Sequence, residues 1–246
     1  MPSKLQVLQD EIVACRRCPR LIEHCQNIAR VRKRAYRDWE YWGRPVPSFG
    51  DPRAQILIIG LAPAAHGANR TGRVFTGDSS GNFLYQVLHA TGFASQPHSV
   101  SRTDGQRLHG SYITAAAHCA PPGNKPTPQE FRNCRGYLER ELDLLKDVRV
   151  VVALGKHAFD IYLSILRDRG SIQRLSAFRF AHNAQHITAP GLPVLLSSYH
   201  PSQQNTNTGK LTEAMFRAVF ERARGLLDAT TPGQTPRRTG PRSART

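Results

Sequence analysis

The sequence lacks the short patterns that mark several large classes of enzyme. Neither the phosphate-binding pattern GxxxxGK[ST] nor the dinucleotide-binding pattern GxGxxG occurs in its 246 residues, which argues against nucleoside triphosphate and dinucleotide chemistry. The zinc patterns HExxH and HxE are absent as well, so a zinc hydrolase acting on nucleic acid has little support. No run of about 20 apolar residues is present, and we expect no segment that spans a membrane.

Targeting signals and cysteines are also scarce. The first residues, MPSKLQVLQDEIVAC, lack the charged-then-apolar order of a secretory signal, and we expect a cytoplasmic protein. Five cysteines in a cytoplasmic chain of this length do not suggest a disulfide framework. Metal binding and simple burial remain as the two interpretations of these thiols.

Acidic residues are few relative to basic ones. The chain has 34 Lys and Arg against 18 Asp and Glu, a formal net charge of +16 and a pI of about 10.4. This balance favours a polyanionic partner, with nucleic acid first and an anionic membrane second, while solubility alone is the simpler alternative. A basic run from Arg30 to Arg37 precedes the aromatic residues Trp39, Tyr41 and Trp42.

Four short apolar segments, separated by segments of helical spacing, predict an α/β fold. The strands are expected at residues 55–61, 111–117, 148–154 and 193–198. We predict a three-layer α/β/α sandwich around a central, mainly parallel four-stranded sheet, because uniformly apolar strands suit a sheet covered on both faces. Residues 1–229 are expected to form one domain, and residues 230–246, rich in Pro, Thr and Arg, a disordered basic tail.

Three loops with unusual chemistry follow the predicted strands, and we expect them to form one site. They span residues 60–78, 118–128 and 199–207. In open α/β sheets ligands bind beyond the carboxyl ends of the strands. Asp78 is the only acid between Asp51 and Asp104, and it could cap the next helix, face a ligand, or do both. His200 directly follows a strand, where it could hydrogen bond to a ligand or be a turn residue without a task.

Two further side chains in these loops suit a flat, polar ligand. Phe75 lies in a polar loop, where its ring could fill the core or stack on a ligand. Asn124 follows the second predicted strand, and its amide offers both a donor and an acceptor, as the edge of a nucleic-acid base requires. Ordinary turn chemistry is the alternative for Asn124.

Four of the five cysteines could hold a metal centre. Cys15 and Cys18 form a CxxC pair, and Cys119 and Cys134 lie near the second strand and the helix after it. Four thiolates can bind zinc or an iron–sulfur cluster, and unrelated burial of the four is the alternative. Cys25 is left over and is expected to be a buried thiol.

The loop sequences, taken together, resemble the uracil-DNA glycosylase superfamily. The similarity is closest to its family 5 branch, often called the UdgB type, and covers roughly residues 5–227. The segments that carry it are Gly60-Leu61-Ala62-Pro63-Ala64, Asn69-Arg70-Thr71-Gly72-Arg73, Phe75-Thr76-Gly77-Asp78, Cys119-Ala120-Pro121-Pro122, Asn124-Lys125-Pro126, Ser198-Tyr199-His200 and Gln204-Asn205-Thr206.

The resemblance implies a DNA repair enzyme that hydrolyses the N-glycosidic bond of flipped-out uracil. Asp78 would supply the carboxylate, since the first segment has no polar side chain, and His200 would bind the departing base. Backbone groups at Gly60 and Ala62 would hold the base, with stacking on Phe75. The remaining implied roles are base-edge reading by Asn124 and ligation of a structural [4Fe–4S] cluster by Cys15, Cys18, Cys119 and Cys134.

Ala115 and Ala116 depart from the pattern of several other branches, which place a uracil-reading Asn on this strand. The resemblance therefore implies broader use of deaminated bases, including hypoxanthine and xanthine. The segment from Ser202 to Thr208 would probe the duplex.

The expected partner is DNA, double-stranded or single-stranded, bound by a monomer that is nucleoid-associated through DNA. No lysine is clearly placed for Schiff-base chemistry, so we expect an abasic site without strand cleavage. A non-enzymatic, metal-stabilised DNA- or RNA-binding module is the competing interpretation, since it also accounts for the charge and the cysteines.

Overall fold

A six-stranded sheet forms the centre of the molecule. The computed structural model describes residues 2–229. In spatial order the strands run β1-β3-β2-β4-β6-β5, and the inner four are parallel to one another. The strand bounds are β1 Phe49–Gly50, β2 Ile56–Gly60, β3 Ser111–Ala115, β4 Val150–Leu154, β5 Ala184–His186 and β6 Val194–Ser198.

Helices cover both faces of this sheet. Their bounds are α1 Lys4–Ala14, α2 Pro19–Val31, α3 Ala68–Thr71, α4 Ser79–Ala90, α5 Pro128–Leu144, α6 Lys156–Asp168, α7 Gln203–Asn207 and α8 Glu213–Ala229. Helices α4 and α8 pack on one face, and α5 and α6 pack on the other. The layers are therefore α/β/α, as predicted.

Alternation of side chains along the strands divides the core into two clusters. In β2, Ile56 and Ile58 point into the cluster with α4 and α8, while Leu57 and Ile59 point into the cluster with α5 and α6. All five residues of this strand are buried. A strand with apolar side chains on both faces belongs in the middle of a sheet, and β2 occupies that position.

The prediction of a mainly parallel sheet with four apolar strands is confirmed, and two short edge strands add to it. β1 and β5 pair antiparallel to their neighbours, and neither was predicted. Each has only two or three residues and is half-buried or exposed, so neither carries the apolar run that revealed the inner strands. The predicted tail at residues 230–246 lies outside the described residues. In residues 2–229 no helix is long and apolar enough to cross a membrane.

The amino-terminal helices pack beside the carboxyl ends of the strands. Leu8 and Ile12 of α1 contact Tyr137 of α5, and Leu21 of α2 packs with Cys119 beyond β3. The turn between α1 and α2 therefore lies against the segment that follows β3.

Candidate active site

Asp78 lies at the junction between the loop after β2 and helix α4. Its Oδ1 accepts a hydrogen bond of 2.8 Å from the amide of Gly81, so it caps the helix. The second oxygen lies beside Gly67, where a Cβ would overlap the carboxylate. Asp78 therefore combines the two predicted positions. One carboxylate oxygen caps α4, and the carboxylate as a whole lies at the carboxyl edge of the sheet, where a ligand would bind.

The surroundings of Asp78 oppose its ionisation. Burial raises the pKa of this carboxyl above its usual value, although the amides of Gly81 and Ser80 and the charge of Arg70 act in the opposite direction. A carboxylate with a raised pKa accepts a proton more readily than a solvated one.

Arg70 fixes the loop immediately before Asp78. Its Nη2 donates to the carbonyl of Gly77 at 2.7 Å, and its Nε donates to the carbonyl of His66 at 2.8 Å. The guanidinium also lies over the rings of Tyr36 and Trp39, at 3.9 and 4.1 Å from their centroids. The buried Arg70 guanidinium therefore connects the loop at His66 and Gly77 to the rings of Tyr36 and Trp39, which lie outside the loop.

Phe75 is held in a strained backbone conformation. Its φ of 49° is in the left-handed region, which bulky residues rarely adopt. The ring packs directly on Gly60 at the end of β2, where a Cβ would lie 2.7 Å from the ring. Its other neighbour is His200, with ring centroids 6.0 Å apart and planes inclined by 31°. Strain of this kind persists where the surroundings enforce it, and it often marks a functional site.

His200 follows β6 and faces Phe75 across the edge of the sheet. Gly155, with a φ of +93°, lies beneath it, and a Cβ there would come within 3.3 Å of the Cβ of His200. The side-chain amide of Asn205 donates to the His200 carbonyl at 2.8 Å. Burial lowers the pKa of His200 to about 4. The imidazole is therefore neutral at neutral pH and can donate one N–H.

Small residues form the floor beside Phe75. The carbonyls of Gly60 and Leu61 accept hydrogen bonds from the amides of Ala116 and Ala117, which extends the pairing of β2 and β3. Ala62 is half-buried and packs against the cluster of α1 and α5. Gly60, Ala62 and Ala116 therefore place only small groups at the strand ends, and β3 supplies no side-chain amide there.

Asn124 lies apart from these groups. It is exposed in a single 3-10 turn at Pro122–Asn124, with a φ of 58°. The turn follows β3 at the same edge of the sheet, and the Asn124 amide donates to the carbonyl of Pro121. The structure thus brings Phe75 and His200 into contact, places Asp78 three residues after Phe75 at the start of α4, and leaves Asn124 exposed in a separate turn.

A buried ion pair supports the loop from the other side. Arg73 pairs with Asp104 at 2.6 Å and also bonds to the hydroxyls of Thr76 and Ser99. The carbonyl of Ser99 in turn accepts from the amide of Gly77. The segment at residues 98–108 therefore has buried contacts that support the loop leading to Asp78.

The four predicted ligand cysteines line one enclosed cavity. Cys15 and Cys18 come from the turn between α1 and α2, Cys119 follows β3, and Cys134 lies on α5. Cys25 is buried and lies outside this set, with its thiol 3.6 Å from the carbonyl of Ala120. The prediction that Cys25 is a buried thiol is confirmed.

The donors around the cavity suit thiolate ligands. The amide of His118 donates to the sulfur of Cys134, and the side chain of Asn133 donates to that of Cys18, both at 3.3 Å. Burial raises the pKa of the Cys134 thiol to about 12, so the free thiol stays protonated and bound metal would have to stabilise the thiolate.

Four thiolates can ligate either zinc or an iron–sulfur cluster, so the donor chemistry of the cysteines is compatible with the predicted cluster. Within residues 2–229 no three His, Cys, Asp or Glu side chains converge closely enough for a single metal ion. An iron–sulfur cluster is larger, because each cysteine ligates a different iron. Cys15, Cys18, Cys119 and Cys134 line the cavity, and ligation of a cluster by them stays a prediction.

Three residues of the site were not predicted from sequence. Gly67 allows the close approach of Asp78, while Arg70 and Arg73 hold the loop from opposite sides. The available signal was the presence of two arginines in a loop of glycine and small residues. The sequence alone does not show that these two arginines are buried, because their partners Tyr36, Trp39 and Asp104 lie in distant segments.

Comparison with known proteins agrees with this geometry. Residues 47–224 match the model of the uracil DNA glycosylase superfamily. A type-5 uracil-DNA glycosylase of Thermus thermophilus is 53% identical over 215 residues, which cover 87% of this chain and 94% of the relative. Type-5 uracil-DNA glycosylases of Mycobacterium bovis and Pyrobaculum aerophilum are 48% and 44% identical, each over 87% of this chain and over 79% and 89% of the relative. The chain therefore belongs to the uracil DNA glycosylase superfamily.

Proposed function

We propose that this protein is a DNA repair glycosylase that hydrolyses the N-glycosidic bond of uracil in DNA and leaves an abasic site. The observation that carries the proposal is that Phe75 and His200 are in contact at the carboxyl edge of the sheet and that the loop carrying Phe75 ends at Asp78 on the same edge. The relatives named above are uracil-DNA glycosylases, which are hydrolases of N-glycosyl bonds. Family and geometry thus support the same reaction.

The base has to leave the helix before this site can reach its glycosidic bond. The ring of Phe75 offers a flat surface for the flipped base. Its close contact with Gly60 fixes how near that ring lies to the strand end. Backbone groups at Gly60 and Ala62 lie at the same level, and Asn124 at the rim would reach the polar edge of the base. Binding of the base then depends on the shape of the site and on stacking with Phe75 more than on the side-chain amide of Asn124.

Bond cleavage places opposite charges on the sugar and on the base. The Asp78 carboxylate stabilises the positive charge that grows on the sugar, and its raised pKa favours taking a proton from the attacking water. His200 is neutral and donates an N–H to the departing base anion, as the donors of an oxyanion hole do. Water adds to C1′, and the base leaves with the electron pair of the C1′–N bond.

The same pocket should accept deaminated bases other than uracil. Ala115 and Ala116 are buried beside Gly60, and Asn124 stands away at the rim. A pocket without a fixed amide on β3 has little means to reject hypoxanthine or xanthine, because discrimination against a base requires polar groups that it leaves unpaired.

The reaction should stop at the abasic site. Strand cleavage through a Schiff base needs an amine at C1′. In residues 2–229 no lysine bonds to or stacks on Asp78, Phe75 or His200; Lys156 pairs with Asp160, and Lys210 lies over the ring of Tyr199. The glycosylase is therefore monofunctional in this proposal.

The cysteine cavity would hold a [4Fe–4S] cluster through Cys15, Cys18, Cys119 and Cys134. Bound there, the cluster joins the turn between α1 and α2 to the segment after β3 and to α5. Its role is structural, because the cavity lies among Leu21, Ile22 and Tyr137 rather than beside Asp78. A brown protein with iron and sulfide supports this assignment, and a colourless protein with zinc contradicts it.

A base-release assay tests the activity. Labelled duplexes carrying uracil, hypoxanthine or xanthine would be incubated with the protein and then treated with alkali. Strand breaks that require both protein and alkali identify a monofunctional glycosylase, and breaks without alkali contradict the absence of strand cleavage. No abasic sites in any duplex, from folded brown protein, would favour a DNA-binding module instead.

A further inference from the structure

The segment at residues 30–44, here called the basic arm, has no role in the chemistry described above. It contains six basic residues and two acidic ones. All six basic side chains are exposed: Arg30, Arg32, Lys33, Arg34, Arg37 and Arg44. Within residues 2–229 none of the six forms an ion pair with a carboxylate, although eight other cations do so.

The aromatic residues of the arm pack inward on the loop that carries Asp78. Tyr36 and Trp39 hold the guanidinium of Arg70. The hydroxyl of Tyr41 lies 3.1 Å from Nδ1 of His66, and Trp42 packs on Gly72 so closely that a Cβ there would come within 2.8 Å of the indole. The arm is thereby fixed beside the candidate site, with Tyr41 and Trp42 packed inward and Trp39 partly exposed over Arg70.

Backbone hydrogen bonds make this attachment rigid. The amides of Trp42 and Gly43 donate to the carbonyls of Arg70 and Asn69 at 2.9 and 3.0 Å. One further cation extends the surface, since Arg102 lies over the ring of Trp42 at 4.7 Å from its centroid, as the arm's own Arg44 does at 4.1 Å. Arg102 comes from the segment that braces the loop through Asp104.

We propose that the basic arm, together with Arg102, binds the phosphates of the DNA backbone beside the nucleotide whose base enters the active site. Exposed cations without acidic partners repel one another and are retained where a polyanion neutralises them. Mounted on the Asp78 loop, they contact the strand next to the extruded nucleotide. The inference rests on the proposed function, since its ligand is the backbone of the proposed substrate.

Two matched variants test the surface. The arm variant is R32Q/K33Q/R34Q/R37Q, and the control is R53Q/K146Q/R167Q/R169Q. Each replaces three arginines and one lysine, all exposed or at the surface of α6. The control positions precede β2 and β4 or end α6, at the opposite edge of the sheet. Both variants carry the same net charge, so a difference between them reports position.

The measurement is fluorescence anisotropy on a duplex without uracil, at several NaCl concentrations. Each phosphate contact contributes roughly 0.9 to the slope of log K against log salt. We expect the arm variant to lower that slope by about 3 and to weaken binding by at least about tenfold at low salt, and the control to change the slope by less than about 1. Equal losses in the two variants, or an unchanged slope in the arm variant, would overturn the proposal.

This measurement distinguishes a failure of the proposed DNA-binding surface from a failure of the proposed glycosylase activity. Binding to an ordinary duplex does not require base release, so a failure of the proposed function appears as no abasic sites with wild-type protein in the alkali assay. A failure of the arm appears as unchanged salt dependence in protein that releases uracil. Melting temperatures of both variants close to that of the wild type establish that neither effect comes from unfolding.

Discussion

The two edges of the central sheet use charged residues in different ways. At the carboxyl edge, Asp78 and His200 are desolvated and held by glycine contacts, and arginines stack on aromatic rings. At the amino edge, a polar groove opens to solvent, lined by Asp51, Arg53, Gln55, Lys146, Asp147 and Arg149. One sheet thus presents organised, partly buried charges at one end and solvated charges of both signs at the other.

This contrast separates charges that act on a ligand from charges that serve solubility. Solvated charged side chains gain little free energy from being held in one position, because water already stabilises their charge. Desolvated groups remain only where the fold compensates their cost, as the amides around Asp78 do. The contrast supports the proposal that the chemistry takes place at the carboxyl edge, and each substitution below at that edge has a matched substitution elsewhere.

The largest effect is expected at the carboxylate. Asp78→Asn keeps the shape of the side chain and removes the charge, so uracil release should fall by roughly 10²–10³, as when one transition-state partner is lost. Asp147→Asn at the amino edge should leave the rate unchanged. Single-turnover rates on a uracil duplex measure both. Near-wild-type activity in Asp78→Asn would remove the carboxylate from the mechanism.

The second prediction compares a buried ion pair with an exposed one. Asp104→Asn leaves the Arg73 guanidinium buried without its partner and should cost about 3 kcal/mol, or roughly 6–12 °C in melting temperature. Asp143→Asn breaks the exposed pair with Arg169 and should cost less than about 1 kcal/mol. Thermal unfolding by calorimetry gives both values, and equal losses would contradict a special role for the buried brace.

Arg70 should show a smaller effect that depends on geometry. Arg70→Lys keeps the charge but loses the planar fork that spans the carbonyls of His66 and Gly77, and we expect an activity loss of about tenfold. The loss should appear in the rate at saturating protein more than in DNA affinity. Arg167→Lys on the surface of α6 is the control, and a loss in affinity alone would make Arg70 a DNA contact instead.

The smallest effect is the pH dependence near neutrality. The proposed mechanism needs Asp78 ionised and His200 neutral. As the pH falls, the raised pKa of Asp78 causes loss of the carboxylate, and His200 gains a proton near its pKa of about 4. The single-turnover rate should therefore decline on the acid side and stay level around neutral pH. A rate that rises on acidification would mean that protonated His200 is the active form.

The inner strands and the main helices could be predicted from the sequence because their signals are local. Uniformly apolar runs identified β2, β3, β4 and β6. Helix α5 likewise begins at a local signal, since Thr127 and Glu130 form a capping box around Pro128. The short edge strands gave no such signal. The segment at residues 98–108 gave no local signal of burial either, because its burial depends on the ion pair between Asp104 and Arg73.

The candidate site was predicted in part for the same reason. Asp78, Phe75 and His200 are visible as unusual side chains at strand ends, and the topology brings them together. The roles of Gly67 and Arg70 depend on contacts between distant segments, so a single sequence does not reveal them. The proposed reading of a base by Asn124 stays a prediction, since that residue is exposed at the rim.

The most direct test is a crystal structure of the Asp78→Asn variant bound to a duplex that contains one uracil. The account predicts an extruded uracil stacked on Phe75, with a carbonyl oxygen within hydrogen-bond distance of the His200 imidazole and C1′ facing residue 78. A uracil bound elsewhere, or a duplex docked at the amino edge with the carboxyl edge free, would contradict the assignment of this edge as the active site.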